Sequence, residues 1–105
     1  IADIVRFVEE GKVSRPIGKE LLKWVSETGK SPETIIKEKG LEQVKDEGVI
    51  KEIIRKVINN NPKEFERLKA GENRLMGFFI GQVMKEIKGK ADPRSVKKEI
   101  EEIIR

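Results

Sequence analysis

The chain has 105 residues, is 36% hydrophobic, 40% charged and 5% aromatic, and contains neither cysteine nor histidine. That composition excludes a disulfide framework, a Cys or His metal site, a histidine general base and a cysteine nucleophile. The formal net charge is +4, and the apolar residues recur in ordered patterns, as in a folded helical domain with a thin core.

The elements are all-α, six or seven helices with no convincing strand. A first short helix is predicted over 2–10, with Ile4, Val5 and Val8 on one side and Gly11 as its stop. A second opens at Ser14, whose hydroxyl can cap the exposed amides, with Pro16 in the first turn. Ile17, Leu21, Leu22 and Val25 then recur at three- and four-residue spacing until Thr28-Gly29 closes it. Trp24, beside that stripe, reads as a packing residue, with a base-stacking platform as the alternative. Ser31-Pro32-Glu33 starts a third helix carrying Ile35 and Ile36 before Gly40. Residues 40–48 (GLEQVKDEG) are polar and bracketed by glycines, which marks a linker. Asp46 caps a fourth helix with the stripe Val49, Ile50, Ile53, Ile54, Val57 and Ile58, ending at Asn59-Asn60. Asn61-Pro62-Lys63-Glu64 reads as a capping box opening a fifth helix with Phe65 and Leu68. The sixth segment, about 72–88, carries Leu75, Met76, Phe78, Phe79, Ile80, Val83, Met84 and Ile87 in nearly every direction, which predicts a helix central to its bundle. Asp92 caps the last helix, with Pro93 in its first turn and Val96, Ile100, Ile103 and Ile104 as its stripe. The organisation expected is a helical N-terminal piece, 1–45, followed by a small compact bundle, 46–105.

No stretch approaches the roughly 18 apolar residues of a membrane span. The start at Ile1, with no charged-then-apolar leader, reads as a fragment of a longer polypeptide without a signal peptide. Together with the absence of cysteine it gives a cytoplasmic expectation.

Charge is spread unevenly. Between residues 67 and 98 the basic set is Arg67, Lys69, Arg74, Lys85, Lys88, Lys90, Arg94, Lys97 and Lys98, against Glu72, Glu86 and Asp92. A polyanion such as RNA would prefer that surface, and a solvated helical face is the plainer reading. No catalytic constellation is visible. Ser14, Ser31 and Ser95 sit at helix starts, the carboxylates mostly face lysines along helices, and no phosphate-binding glycine loop is present. Within the apolar sixth segment Gly77 and Gly81 share a face, and each costs roughly 1 kcal/mol of helix propensity relative to alanine. Either a neighbouring helix packs against the bared backbone, or the face is an open groove that RNA can approach. Gln82, the polar residue of the segment, would either satisfy a loop backbone group or contact a nucleotide. The lysines of Lys88-Gly89-Lys90 flank a helix start and can meet phosphate from the side.

The run AGENRLMGFFIGQVMKEIKGKADP at 70–93 resembles the C-terminal tail of the GatB family, the B subunits of the tRNA-dependent amidotransferase. The shared residues are Ala70-Gly71, Gly77-Phe78, Gly81-Gln82-Val83-Met84-Lys85, Gly89-Lys90-Ala91 and Pro93. Upstream, Gly40-Leu41, Asp46-Glu47 and Asn61-Pro62 extend the likeness over nearly the whole chain. Free-standing YqeY-type proteins and an archaeal sister subunit share this tail. The resemblance implies a non-catalytic, all-helical extension that grips the outer corner and D-loop of tRNA(Gln) or tRNA(Asn). Catalysis would lie elsewhere in the parent, which uses ATP and Mg²⁺ to convert Glu-tRNA(Gln) or Asp-tRNA(Asn) to the amide together with the A and C subunits. No cofactor, metal, membrane or DNA is expected for the fragment itself. The residues carried over as tRNA contacts are Arg74, Gly77, Gly81, Gln82, Lys85, Lys88, Lys90 and Arg94. Glu72 and Asp92 depart from the family's Lys and Asn and remove positive charge from that patch. The alternatives are a protein-interaction module docking on the parent enzyme and a free-standing helical protein.

Overall fold

The computed structural model of the chain describes residues 2–105. Among the described residues there are seven α-helices and no strand. They are α1 (Ala2–Glu9), α2 (Arg15–Thr28), α3 (Pro32–Lys39), α4 (Glu47–Asn60), α5 (Pro62–Lys69), α6 (Leu75–Glu86) and α7 (Pro93–Ile104). The all-helical class predicted from caps and spacing is the class observed.

The helices fall into two compact units. One is the chain up to Val44 together with Gly89–Asp92; the other is Lys45–Lys88 with Pro93–Arg105. The uninterrupted 46–105 bundle expected from the sequence is thus corrected, because residues 89–92 group with the first unit. Backbone bonds and burial explain this. The Ser14 hydroxyl donates to the Gly89 carbonyl, the Val44 amide donates to the Lys90 carbonyl at 2.7 Å, and Ala91 is fully buried.

In the first unit, the Ser14 hydroxyl also accepts from the Ile17 amide at 3.3 Å, so it caps α2 as its position predicts. Ser31 does the same for α3 through the Thr34 amide at 3.2 Å. Both helices end at a glycine in the left-handed region, Gly29 and Gly40, where a side chain would be strained. The core joins Ile4, Phe7, Val13, Ile17, Leu21, Ile35, Ile36 and Leu41. Phe7, three residues after Ile4, is the inward residue that the reading of α1 overlooked, whereas Val5 is half exposed. Gly18 lets α1 close on α2, since a methyl group there would stand 2.6 Å from Val8. Trp24 packs half-buried against this core, as expected, with the Lys39 ammonium 4.7 Å from its ring centre. The linker expected at 40–48 is found, since 41–46 lie outside any helix and the boundary between the units falls at Val44–Lys45, but its first residues are tied down. Leu41 plugs into the core, and the Gln43 amide donates to the Lys12 carbonyl at 2.9 Å. Polar composition signals a lack of helix there, but backbone groups hold the segment in place.

In the second unit, Asp46 caps α4 by accepting from the amides of Gly48 and Val49 at 2.8 and 3.3 Å. Ile50, Ile54 and Val57 form its buried stripe. The expected capping box at Asn61 is absent. Asn61 is the single residue between α4 and α5, and its side-chain amide donates backwards to the Val57 carbonyl at 2.9 Å. It thereby satisfies a carbonyl that the end of α4 leaves open, and Pro62 removes one amide that would otherwise need a cap. Helix α6 packs against α4, α5 and α7, which is the central position predicted for it. Its inward residues are Phe79 and Val83, followed by Ile87, all buried. The Phe79 ring meets that of Phe65 edge to face, with centres 5.8 Å apart.

Candidate nucleic-acid interface

Apolar side chains occur nearly all round α6, yet the helix is not covered all round. Gly77, Phe78, Gly81 and Lys85 are exposed, as is Arg74 immediately before the helix. Positions 74, 77, 78, 81 and 85 follow the three- and four-residue spacing of one helical face. Lys88, just past the helix end, is exposed as well. A methyl group built on Gly77 or Gly81 meets nothing within 4 Å. The alternative of a neighbouring helix packed on these glycines therefore fails within the described residues, and the backbone there is open.

The charges on this face are available. Among the described residues, Arg74, Lys85 and Lys88 take part in no ion pair or side-chain hydrogen bond. The nearby carboxylates are engaged by cations on other elements. Glu86 pairs with Lys56 of α4 at 3.2 Å. Glu72 is held in a forked pair by Arg67 of α5, with Nη2 to Oε2 at 2.7 Å and Nε to Oε1 at 3.2 Å. The departure at Glu72 thus cancels the charge of Arg67 and leaves Arg74 unopposed. The hydrogen bonds from Arg67 hold the Glu72 carboxyl below the usual carboxylate range and raise the guanidinium in turn. The pair's small contribution is present above the ordinary carboxyl range and is lost as pH falls through the lowered native value. Both groups are in solvent, so salt screens it.

The remaining expected contacts are placed as follows. Gln82, one turn after Phe78, is half-buried and makes no side-chain hydrogen bond among the described residues, so it does not serve a loop there. Lys90 belongs to the first unit, where its ammonium donates to the Gly40 carbonyl at 3.3 Å. Arg94 lies exposed on α7. The sequence reading gathers eight residues into one patch; the structure brings Arg74, Gly77, Gly81 and Lys85 onto one face of α6, with Gln82 at its edge and Lys88 beyond its end. Phe78, on the same face, was missed because an aromatic in an apolar run reads as core.

Further concavities lie among the described residues. In the first unit an open groove of about 360 Å³ is lined by Ile4, Val5, Val8, Gly18 and Leu22, with charged side chains at its rim. In the second unit a recess of about 250 Å³ lies among Lys51, Arg55, Glu99, Glu102 and Ile103. There Glu99 stands 3.9 Å from the Lys51 ammonium. Among the described residues no group of three or more Asp or Glu is arranged to hold a metal ion, and no helix is long and apolar enough to cross a membrane.

The fold is an all-helical one that presents a bare, basic helix face on α6. The chain belongs to the GatB domain family, whose profile it matches over residues 1–104. It is 51% identical over its full length to a Persephonella marina protein named as the B subunit of aspartyl/glutamyl-tRNA(Asn/Gln) amidotransferase. Relatives of the same name from Pseudothermotoga lettingae and Thermodesulfovibrio yellowstonii are 45% and 44% identical over 99% and 100% of the chain. The chain spans 22% of the length of each of these three relatives, in their C-terminal region.

The bare glycines yield a direct test. With no atom within reach of either added methyl group, Gly77→Ala and Gly81→Ala are each expected to stabilise the second unit by up to about 1 kcal/mol through helix propensity. Urea denaturation of the single and double variants measures this. Destabilisation would mean that a neighbour covers the face after all.

Proposed function

We propose that this chain is the non-catalytic RNA-gripping tail of a GatB-type amidotransferase protein, acting in the cytoplasm. The observation that carries this reading is the open α6 face, where two glycines bare the backbone beside unpaired Arg74, Lys85 and Lys88. A phosphate backbone is a dense line of negative charge that cations attract without reading sequence. Bare helix backbone lets it come close. Discrimination among RNAs then comes from shape, and the exposed elbow of a tRNA, with its D-loop, offers a shape that a plain duplex lacks.

In this reading the tail holds tRNA(Gln) or tRNA(Asn) while the remainder of the parent, with the A and C subunits, converts the misattached Glu or Asp to its amide. ATP and Mg²⁺ serve that remainder. Identity along the whole chain to proteins named as amidotransferase components favours this over a free-standing helical protein.

The test is anisotropy of labelled tRNA(Gln) titrated with the full-length parent protein at several salt concentrations. If three to five phosphates are met, the slope of log affinity against log salt is roughly −2 to −4. Lys85→Gln with Lys88→Gln is expected to weaken binding and to flatten that slope by about 2. Plain RNA duplex should compete poorly, and tRNA with an altered D-loop should compete less well than the parent tRNA. Unchanged affinity and slope in the double variant would instead favour a protein-docking module.

A further inference from the structure

We propose that Phe78 is a stacking platform for an unpaired base of the bound RNA, an inference that rests on the tRNA-binding reading above. Phe78 is 38% exposed, whereas its neighbour Phe79 is 1% exposed. The Phe78 ring is not loose. It stands edge to face with Phe79, with centres 5.3 Å apart and planes at 84°. Phe79 is itself braced edge to face by Phe65. An aromatic ring held by the core and yet open to solvent carries little ordering cost on binding.

Its surroundings suit a flat, polar-edged ligand. Gly77 precedes it and Gly81 follows one turn later, so no side chain at either position walls off its approach. Arg74 lies one turn before Phe78 and Lys85 about two turns after, placed to meet the phosphates on either side of a splayed nucleotide. Gln82, one turn after Phe78, has an unengaged amide that can both donate to and accept from a base edge. A base in a paired helix cannot reach such a ring, so the ligand is an unstacked loop base, as single-stranded RNA recognition requires. A protein partner would also bury an exposed Phe, but the flanking cations and bare glycines favour a polyanion.

The experiment uses the full-length parent protein and tRNA(Gln) carrying 2-aminopurine in turn at each unpaired D-loop position. Stacking on Phe78 is expected to quench one such probe. Phe78→Leu keeps the apolar bulk but removes the aromatic face. It is expected to lower affinity roughly 5- to 100-fold, to abolish the quench and to leave the salt slope unchanged. Phe78→Tyr and Phe78→Trp should restore both affinity and quench. Circular dichroism and the denaturation midpoint of each variant separate folding from binding. If wild-type protein binds with the expected salt slope but Phe78→Leu binds equally well, the stacking role is wrong and the tRNA reading stands. If wild-type protein shows no salt-dependent tRNA binding, the tRNA reading itself fails and takes the stacking role with it.

Discussion

Phe79→Ala is expected to destabilise the second unit by about 3–5 kcal/mol, the range for emptying a buried aromatic site. Phe79 is 1% exposed and lies on the helix that touches every other helix of its unit. Its ring also makes two edge-to-face contacts, with Phe65 and Phe78, each of a kind that adds about 0.5–1.5 kcal/mol beyond area burial. A unit of this size has a total stability of only several kcal/mol, so the variant is expected to be largely unfolded at 37 °C. Phe79→Leu, which refills most of the volume, should recover more than half of the loss. Urea denaturation followed by helix signal checks both, and a loss below about 1 kcal/mol for Phe79→Ala would mean that the site collapses without cost.

Ser14→Ala is expected to cost the first unit about 2–3 kcal/mol, far more than an exposed cap would. Two effects add. The Ile17 amide loses its acceptor, a cap loss of about 1 kcal/mol. The Gly89 carbonyl loses its donor inside a part-buried setting, a further penalty of about 1–2 kcal/mol. Ser31, whose hydroxyl is exposed, supplies the comparison: Ser31→Ala should cost only about 0.5–1 kcal/mol. Amide hydrogen exchange in α2 and at Gly89–Asp92 reads the effect locally. Equal losses for the two serines would show that the bond to Gly89 contributes nothing.

The contrast between those serines shows what the sequence carries. Both caps were legible, because Ser-x-Pro and Ser-Pro before an apolar run state local chemistry. The second bond of Ser14 was not, because its partner is a backbone carbonyl 75 residues away and a carbonyl leaves no trace in residue type. The same holds for Val44 and Lys90, whose main-chain bond ties 89–92 to the first unit. Asn61 misled for another reason. Asn-Pro-x-Glu fits a capping box, but a one-residue junction offers its amide two helix ends, and the closing carbonyl of α4 won. In α6, the periodicity showed where apolar residues lie but not which of them would be covered. Lys85, Gly77 and Gly81 were legible as candidates; Phe78 was hidden among its apolar neighbours.

Lys88 has a backbone φ of 57°, the one positive value outside glycine among the described residues, and Gly89 follows at 74°. A side chain in that region costs about 1–2 kcal/mol that glycine would avoid. At Gly77 and Gly81 the preference is reversed, since alanine fits the space and favours the helix. Glycine stands where alanine would be more stable, and lysine stands where glycine would be more stable, along and just beyond a single face. A redesign guided by stability alone would exchange all three. It would yield a sturdier domain with its bare backbone covered and one of its cations gone, so the residues that such an optimiser ranks as errors trace the outline of the surface proposed to meet RNA.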